Sequence, residues 1–468
     1  MSKKILEKLD KYPIQKKLKK TFGKINDFES LTVCKCKIED SNVDEHCNLK
    51  SSTNKHEITF QTNENYWEKQ NKLINIYLST SKNTYICENS LITYVSYGKN
   101  LTYKISLSNI KIGKPSYYFR LLLPNENKLD LFSLFETTGY RSEFGITVGL
   151  MVVTVNNLNF HVYELKDYLI IDCIDKFNYD SFYESTLYIL LALGILTGSF
   201  VQNKCYIISS DDINYESISY FEFRPLRETK KTPYKILPTN PYTFFCSDIA
   251  ESKREYMAHI SKNQFDNFIK KISESKILLN ALFVFVESYD YPLDTKPVCL
   301  SVVLEGLYQF LNEKIQDQFK PIKDKDKEKE LINKIKELLP QFESSFTVPD
   351  GESTLLNRIN DLNKTSNSAG FQKLFELFNY KLKDHEKETL KNRNSFLHCN
   401  EKIYQKYIIV QNGSDEYLKI FFTEENLTKL LYILILKIID YSGYIVNILK
   451  FNEDVFGTIK KEDLLIKI

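Results

Sequence analysis

Arg224-Pro-Leu-Arg-Glu-Thr-Lys-Lys-Thr-Pro-Tyr-Lys-Ile-Leu-Pro-Thr-Asn-Pro241 divides this chain into two kinds of sequence. Four of the twelve prolines fall inside it, so it predicts a connector or an extended surface arm over 224–260. Before it, from about Phe28 to Ser219, short segments alternate or carry β-branched and aromatic residues. Leu101-Thr-Tyr-Lys-Ile-Ser-Leu107 and Phe160-His-Val-Tyr-Glu164 are examples, and period two marks strands with one buried face. Asn, Gly and Ser punctuate them at Tyr97-Gly-Lys-Asn100 and Val155-Asn-Asn-Leu158. This region reads as a sandwich or a curved antiparallel sheet, with one clear helix over Phe182–Leu196 that ends at Thr197-Gly198. After the proline window the apolar period becomes helical. Helices are predicted over 263–274, 276–288, 297–316, 326–339, 353–363, 369–382, 384–397 and 424–449. A hairpin pairing Tyr407–Val410 with Leu418–Phe422 interrupts them.

The fold class is therefore α+β and multidomain, a β-rich N-terminal region followed by an all-helical bundle. The predicted parts are a basic leader (1–24), a β-rich regulatory domain (25–223), the connector (224–260) and a helical domain (261–468). At 468 residues more than one domain is expected. With 43% apolar and 26% charged residues, the composition is that of a soluble globular protein. The leader's nine lysines against Glu7 and Asp10 leave the rest of the chain acidic, because the total is only +2. Such an arm is either a solvated, partly helical leader or touches phosphates, and without an apolar core it is no signal peptide.

Nine cysteines without framework spacing predict reduced thiols in a cytoplasmic protein. Cys34, Cys36, His46 and Cys47 form a weak zinc candidate, since strand thiols two apart share a face without the usual ligand spacing. No stretch predicts a membrane span. Ser185–Asn203 is polar at both ends, and Leu430–Leu449 is broken by Lys437 and Asp440.

Chemistry concentrates at Lys391-Asn-Arg-Asn-Ser-Phe-Leu-His398. A ribonuclease that uses the substrate's own 2′-OH needs no metal or other cofactor. It needs a proton carrier near neutral pH, supplied by His398. It also needs a permanent cation against the charge building on the phosphorane, supplied by Arg393. Asn394 can hold a phosphate oxygen or orient the imidazole. At about 100° per residue, Asn394 and His398 share a helix face, while Arg393 sits about 140° from His398 and must reach round or face a second copy.

Arg, a polar residue, three more and then His, inside an all-helical C-terminal domain, resembles the signature of the HEPN superfamily. The layout is similar to ApeA-like abortive-infection proteins, down to the helix end Ala192-Leu-Gly-Ile-Leu-Thr-Gly198. Cys399 departs from the pattern, standing where members often have a small residue. The resemblance implies a metal-independent endoribonuclease of anti-phage defence, a toxin acting on RNA. It also implies a homodimer through the HEPN domain, with two motif copies forming the site. Because unrestrained cleavage would harm the host cell, the N-terminal region is expected to sense a phage-derived trigger.

Glu305 is the next candidate. Ser301, Glu305 and Gln309 form a polar stripe on an apolar helix, either an ordinary solvent face or, as in other HEPN domains, a polar residue facing the Arg–His site. His385 reads as a surface residue, and His161 and His259 as structural. The alternative function is a non-catalytic RNA- or nucleotide-binding sensor with HEPN-like helices.

Overall fold

The computed structural model describes residues 15–41, 45–51, 56–63, 65–81, 83–97, 100–233, 235–345, 351–363, 367–397, 415–451 and 462–468. It divides into two compact units, one made mainly of Met1–Glu274 and the other mainly of Ser275–Ser442 and Asn447–Ile466.

The first unit is β-rich, as the alternating segments require. Its first six long strands are β1 (Val33–Ile38), β2 (Glu45–Ser51), β3 (His56–Thr62), β4 (Leu73–Ser79), β5 (Thr84–Ser96) and β6 (Leu101–Leu107). They pair in the order β5-β4-β1-β2-β3-β6, and β6 returns to β5, closing a six-stranded barrel. Closure depends on the length of β5. Its first half, Ile86–Glu88, pairs with β7 (Asn109–Gly113), and its second half, Leu91–Ser96, pairs with β6. One strand thus serves two sheets, the barrel and an extended antiparallel sheet. The latter adds β8 (Tyr118–Pro124), β9 (Thr138–Ser142), β10 (Gly145–Val155), β11 (Leu158–Leu165), β12 (Tyr168–Cys173), β13 (Lys204–Ser210) and β14 (Tyr220–Pro225). Its order is β9-β10-β11-β12-β8-β13-β14-β7. Of the two expectations, a sandwich or a curved antiparallel sheet, the structure has the second, and it goes further in that six of the strands close into a barrel continuous with the rest of the sheet. Period two reports which face is buried and is silent on whether the edges meet.

From Lys19 the lysine-rich leader is helical, as expected of part of it, but there it is packed and not solvated. Helix α1 (Lys19–Glu29) buries Phe22, Ile25 and Phe28 in the same cluster as the barrel interior. Arg120 on β8 is fully buried and pins α1 by donating to the Lys17 carbonyl at 2.9 Å and the Thr21 hydroxyl at 2.8 Å. Its charge is met by Asp172 at 2.7 Å, whose other oxygen accepts from the Tyr163 hydroxyl at 2.9 Å. A buried cation is tolerable only with this density of acceptors.

Helix α2 (Tyr179–Thr197) is the expected apolar helix, extended by a turn at its start. Asn178 caps it by accepting from the Ser181 amide at 3.0 Å, and Gly198 ends it at φ 72°, the left-handed position that favours glycine. The first unit then runs past the predicted boundary at 260/261. Helix α3 (Lys262–Glu274) buries Phe265, Phe268, Ile269 and Ile272 at helical spacing against β10 and α2. The division falls at Glu274/Ser275, and α3 belongs to the β-rich unit.

The second unit is helical. It holds α4 (Lys276–Glu287), α5 (Lys296–Phe319), α6 (Lys325–Leu338), α7 (Gly351–Asn360), α8 (Asn367–Leu377), α9 (Asp384–Leu397) and α10 (Asp415–Ile438). Helix α5 is central and contacts α4, α8, α9 and α10. Gly306 makes its approach to α4 possible, because a Cβ there would meet that of Ala281 at 2.9 Å. The predicted hairpin is not formed. Leu418–Phe422 lies inside α10, while Tyr407–Val410 lies outside the described residues. Ile420, Leu427, Leu431, Leu434 and Ile438 make one buried helical stripe, which overrides the β-favouring aromatic and branched residues at its start. Among the described residues no helix is long and apolar enough to cross a membrane.

Candidate active site

The site is built on α9, whose first turn is fixed by Glu386. That carboxylate is buried and accepts from the Lys383 amide at 2.8 Å, the reciprocal contact of a capping box. It also accepts from the Tyr380 hydroxyl at 2.8 Å. The Lys429 ammonium of α10, also fully buried, approaches it at 2.6 Å. The lysine meets the carboxylate by charge and outside aligned hydrogen-bond geometry. Burial pushes the Lys429 pKa down and the Glu386 carboxylate opposes that. Asn426, one turn earlier on α10, donates to the Thr389 hydroxyl at 2.8 Å, giving α9 and α10 a second polar tie.

His385 is not the surface residue expected. Its Nε2 is buried and has no hydrogen bond among the described residues; it stands 3.8 Å from a Glu462 oxygen, and its ring lies edge-on to Phe422. Burial, aided by the nearby Lys429 charge, lowers its pKa and keeps it neutral.

Two turns further along α9, Arg393 is 1% exposed. Its guanidinium lies 4.0 Å from the Phe371 ring centroid on α8, and Nη1 donates to the Leu390 carbonyl at 3.2 Å. Nη2 stands 3.5 Å from an oxygen of Glu305 on α5, and among the described residues Nε has no acceptor. Burial pulls the arginine's pKa down and the Glu305 charge opposes it.

The structure thus brings Glu305 to Arg393 from a different helix. The expected polar stripe does not hold as a unit. Gln309 is exposed and Glu305 partly so, but Ser301 is fully buried and donates to the Pro297 carbonyl at 2.7 Å. Asn394 follows Arg393 in α9, and His398 lies outside the described residues.

A second charged group went unread in the sequence. Lys296 on α5 pairs with Glu424 on α10 at 2.7 Å, and the adjacent Glu425 is buried with its Oε2 unbonded among the described residues. Burial, reinforced by Glu424, raises the Glu425 pKa to about 9, so it is protonated at neutral pH. The visible signal was Glu424-Glu425-Asn426 with Lys429 at the head of an otherwise apolar run.

The zinc candidate does not assemble. Cys34 pairs with Cys47 across β1 and β2, and His46 pairs with Lys35, so His46 points away from the thiols. Cys34, Cys36 and Cys47 are buried in the barrel while His46 is exposed. Among the described residues no group of three or more His, Cys, Asp or Glu is placed to hold a metal.

No family model matches the chain, and no curated protein matches it. Among solved structures, it is similar to that of K. pneumonia MrkH in complex with c-di-GMP, at 13% identity and a TM-score of 0.14. That likeness covers 37% of this chain and 92% of the other. At such a score it carries no argument about fold or ligand.

Proposed function

We propose that the helical unit is a metal-independent endoribonuclease of the HEPN type, acting on RNA in a cytoplasmic anti-phage system and restrained by the β-rich unit. The observation that carries this reading is the meeting of Arg393 from α9 and Glu305 from α5, on a helix that continues through Asn394 towards His398. In the proposed reaction the substrate's 2′-oxygen attacks the adjacent phosphorus and the bond to the 5′-oxygen breaks. The 2′-OH proton passes to a base, and the leaving oxygen takes a proton from an acid. His398 serves as one of these, with the second motif of a homodimer available for the other. Arg393 offsets the charge on the phosphorane, and Asn394 orients the phosphate or the imidazole. The products carry a 2′,3′-cyclic phosphate and a 5′-OH.

The burial of Arg393 against Phe371 favours a second reading, in which the arginine is a structural cation and the unit is a non-catalytic RNA- or nucleotide-binding sensor. Cleavage of RNA by the full-length protein in EDTA separates the two. The ribonuclease reading expects His398→Ala to abolish it. Equal cleavage by that variant, or strict dependence on Mg²⁺, would contradict it.

A further inference from the structure

We propose that Glu305 is an electrostatic latch on Arg393, occupying with its carboxylate the place that an RNA phosphodiester takes when the enzyme works. This rests on the ribonuclease reading above and concerns how that site is kept quiet. Arginine recognises carboxylate and phosphate with the same planar fork of donors, so one anion can stand in for the other.

Three features of the contact suit a replaceable anion. First, the separation of 3.5 Å is longer than a tight charge-assisted bond of about 2.7–2.9 Å, so a better-placed anion can win. Second, the pair is asymmetric. Arg393 is 1% exposed while the Glu305 side chain is 43% exposed, so the carboxylate is the partner that meets solvent. Third, the guanidinium is not saturated. Nη1 is used by Leu390 and a face is stacked on Phe371, but among the described residues Nε has no acceptor. Phe371 and the Leu390 carbonyl hold the guanidinium whether or not Glu305 is engaged. Displacement therefore exchanges one anion for another and does not require the arginine to refold.

The latch runs opposite to a supporting role for Glu305 in catalysis. A supporting carboxylate is needed for turnover, so its removal slows cleavage. A latch repels the substrate's phosphate and engages its partner, so its removal strengthens binding and speeds cleavage.

The experiment compares the full-length protein with Glu305→Gln and Glu305→Asp, both at a half-exposed position that does not threaten folding. Binding is read with a fully 2′-O-methylated RNA oligonucleotide, which cannot be cut through its own 2′-OH, and cleavage with the unmodified RNA. Glu305→Gln should bind roughly fivefold tighter at low salt, shrinking as salt rises, and should cleave faster. Glu305→Asp, with a shorter reach, should fall between. Adding Arg393→Gln should remove the gain. Unchanged or weaker binding by Glu305→Gln, slower cleavage, or a gain that survives Arg393→Gln would overturn the latch. Failure of the ribonuclease reading is scored separately by His398→Ala, because the binding comparison decides the latch whatever that variant does.

Discussion

Lys429→Met tests how the motif helix is held. The wild-type ammonium and the Glu386 carboxylate are both fully buried and 2.6 Å apart. Removing one member of such a pair strands the other charge and costs about 3–5 kcal/mol. Here Glu386 keeps the Tyr380 hydroxyl and the Lys383 amide, so we expect the low end, about 3 kcal/mol. Because the chain forms two compact units, one unfolding free energy is poorly defined. The better assay is hydrogen exchange resolved to peptides of α9 and α10. A loss of about 3 kcal/mol there accelerates exchange on the order of 100-fold, with peptides of the β-rich unit unchanged. The double variant Lys429→Met/Glu386→Gln removes both charges and should recover about 2 kcal/mol of the loss. If the single variant exchanges like the wild type, or the two substitutions add without recovery, the pair does not clamp α9 to α10 and the reasoning fails.

Glu425 should make stability fall with rising pH. Its folded pKa of about 9 lies above the unfolded value near 4.5. Its contribution is therefore fully present below about pH 4.5 and lost as pH climbs towards 9. Glu425→Gln, a mimic of the protonated acid, should stabilise by about 3 kcal/mol at pH 7, and by more at pH 8. Hydrogen exchange of α10 peptides at several pH values, corrected for the intrinsic rate, checks this, and a pH-independent difference would mean the carboxyl is ionised. His385 works in the other direction. Its folded pKa is lowered, so its contribution is present above the unfolded value of about 6.5 and lost as pH falls below it. His385→Gln should flatten the pH dependence of α9 hydrogen-exchange protection between neutral pH and about pH 5; a steeper acid loss would contradict the assignment.

The helical half was legible wherever apolar residues repeat at helical spacing. The predicted 384–397 matches α9 end for end, and 263–274 differs from α3 by one residue. Membership was less legible than secondary structure. Nothing in the period of Phe265, Phe268, Ile269 and Ile272 says that they pack on a sheet and not on the following helices. In the β-rich half, alternation located the strands, but closure of the barrel depends on β5 changing partners along its length. Local spacing has no access to that. Leu418–Phe422 misleads because its residue types favour strands, and it contributes only Ile420 to the helical stripe, most of which lies in the Leu427 to Ile438 run beyond it.

At the site, sequence singled out Arg393 and Glu305 separately, and the helix packing joins them. It missed Glu386, Lys429 and Glu425 because a charge on a helix reads as solvated until its neighbours are known. His385 was misjudged for the same reason, its burial coming from Phe422 and Glu462 far along the chain. In the zinc candidate, the cross-strand register separates His46 from the thiols, and register is not written in the ligand spacing alone.

The central claim is that RNA is cut by its own 2′-oxygen under Arg393 and His398. The most direct measurement is end-group analysis of an RNA and its fully 2′-O-methylated counterpart, incubated in EDTA with the full-length protein. Only the unmodified RNA should be cut, leaving a 2′,3′-cyclic phosphate and a 5′-OH. Cleavage of the methylated strand, or products ending in 3′-OH and 5′-phosphate, would contradict it.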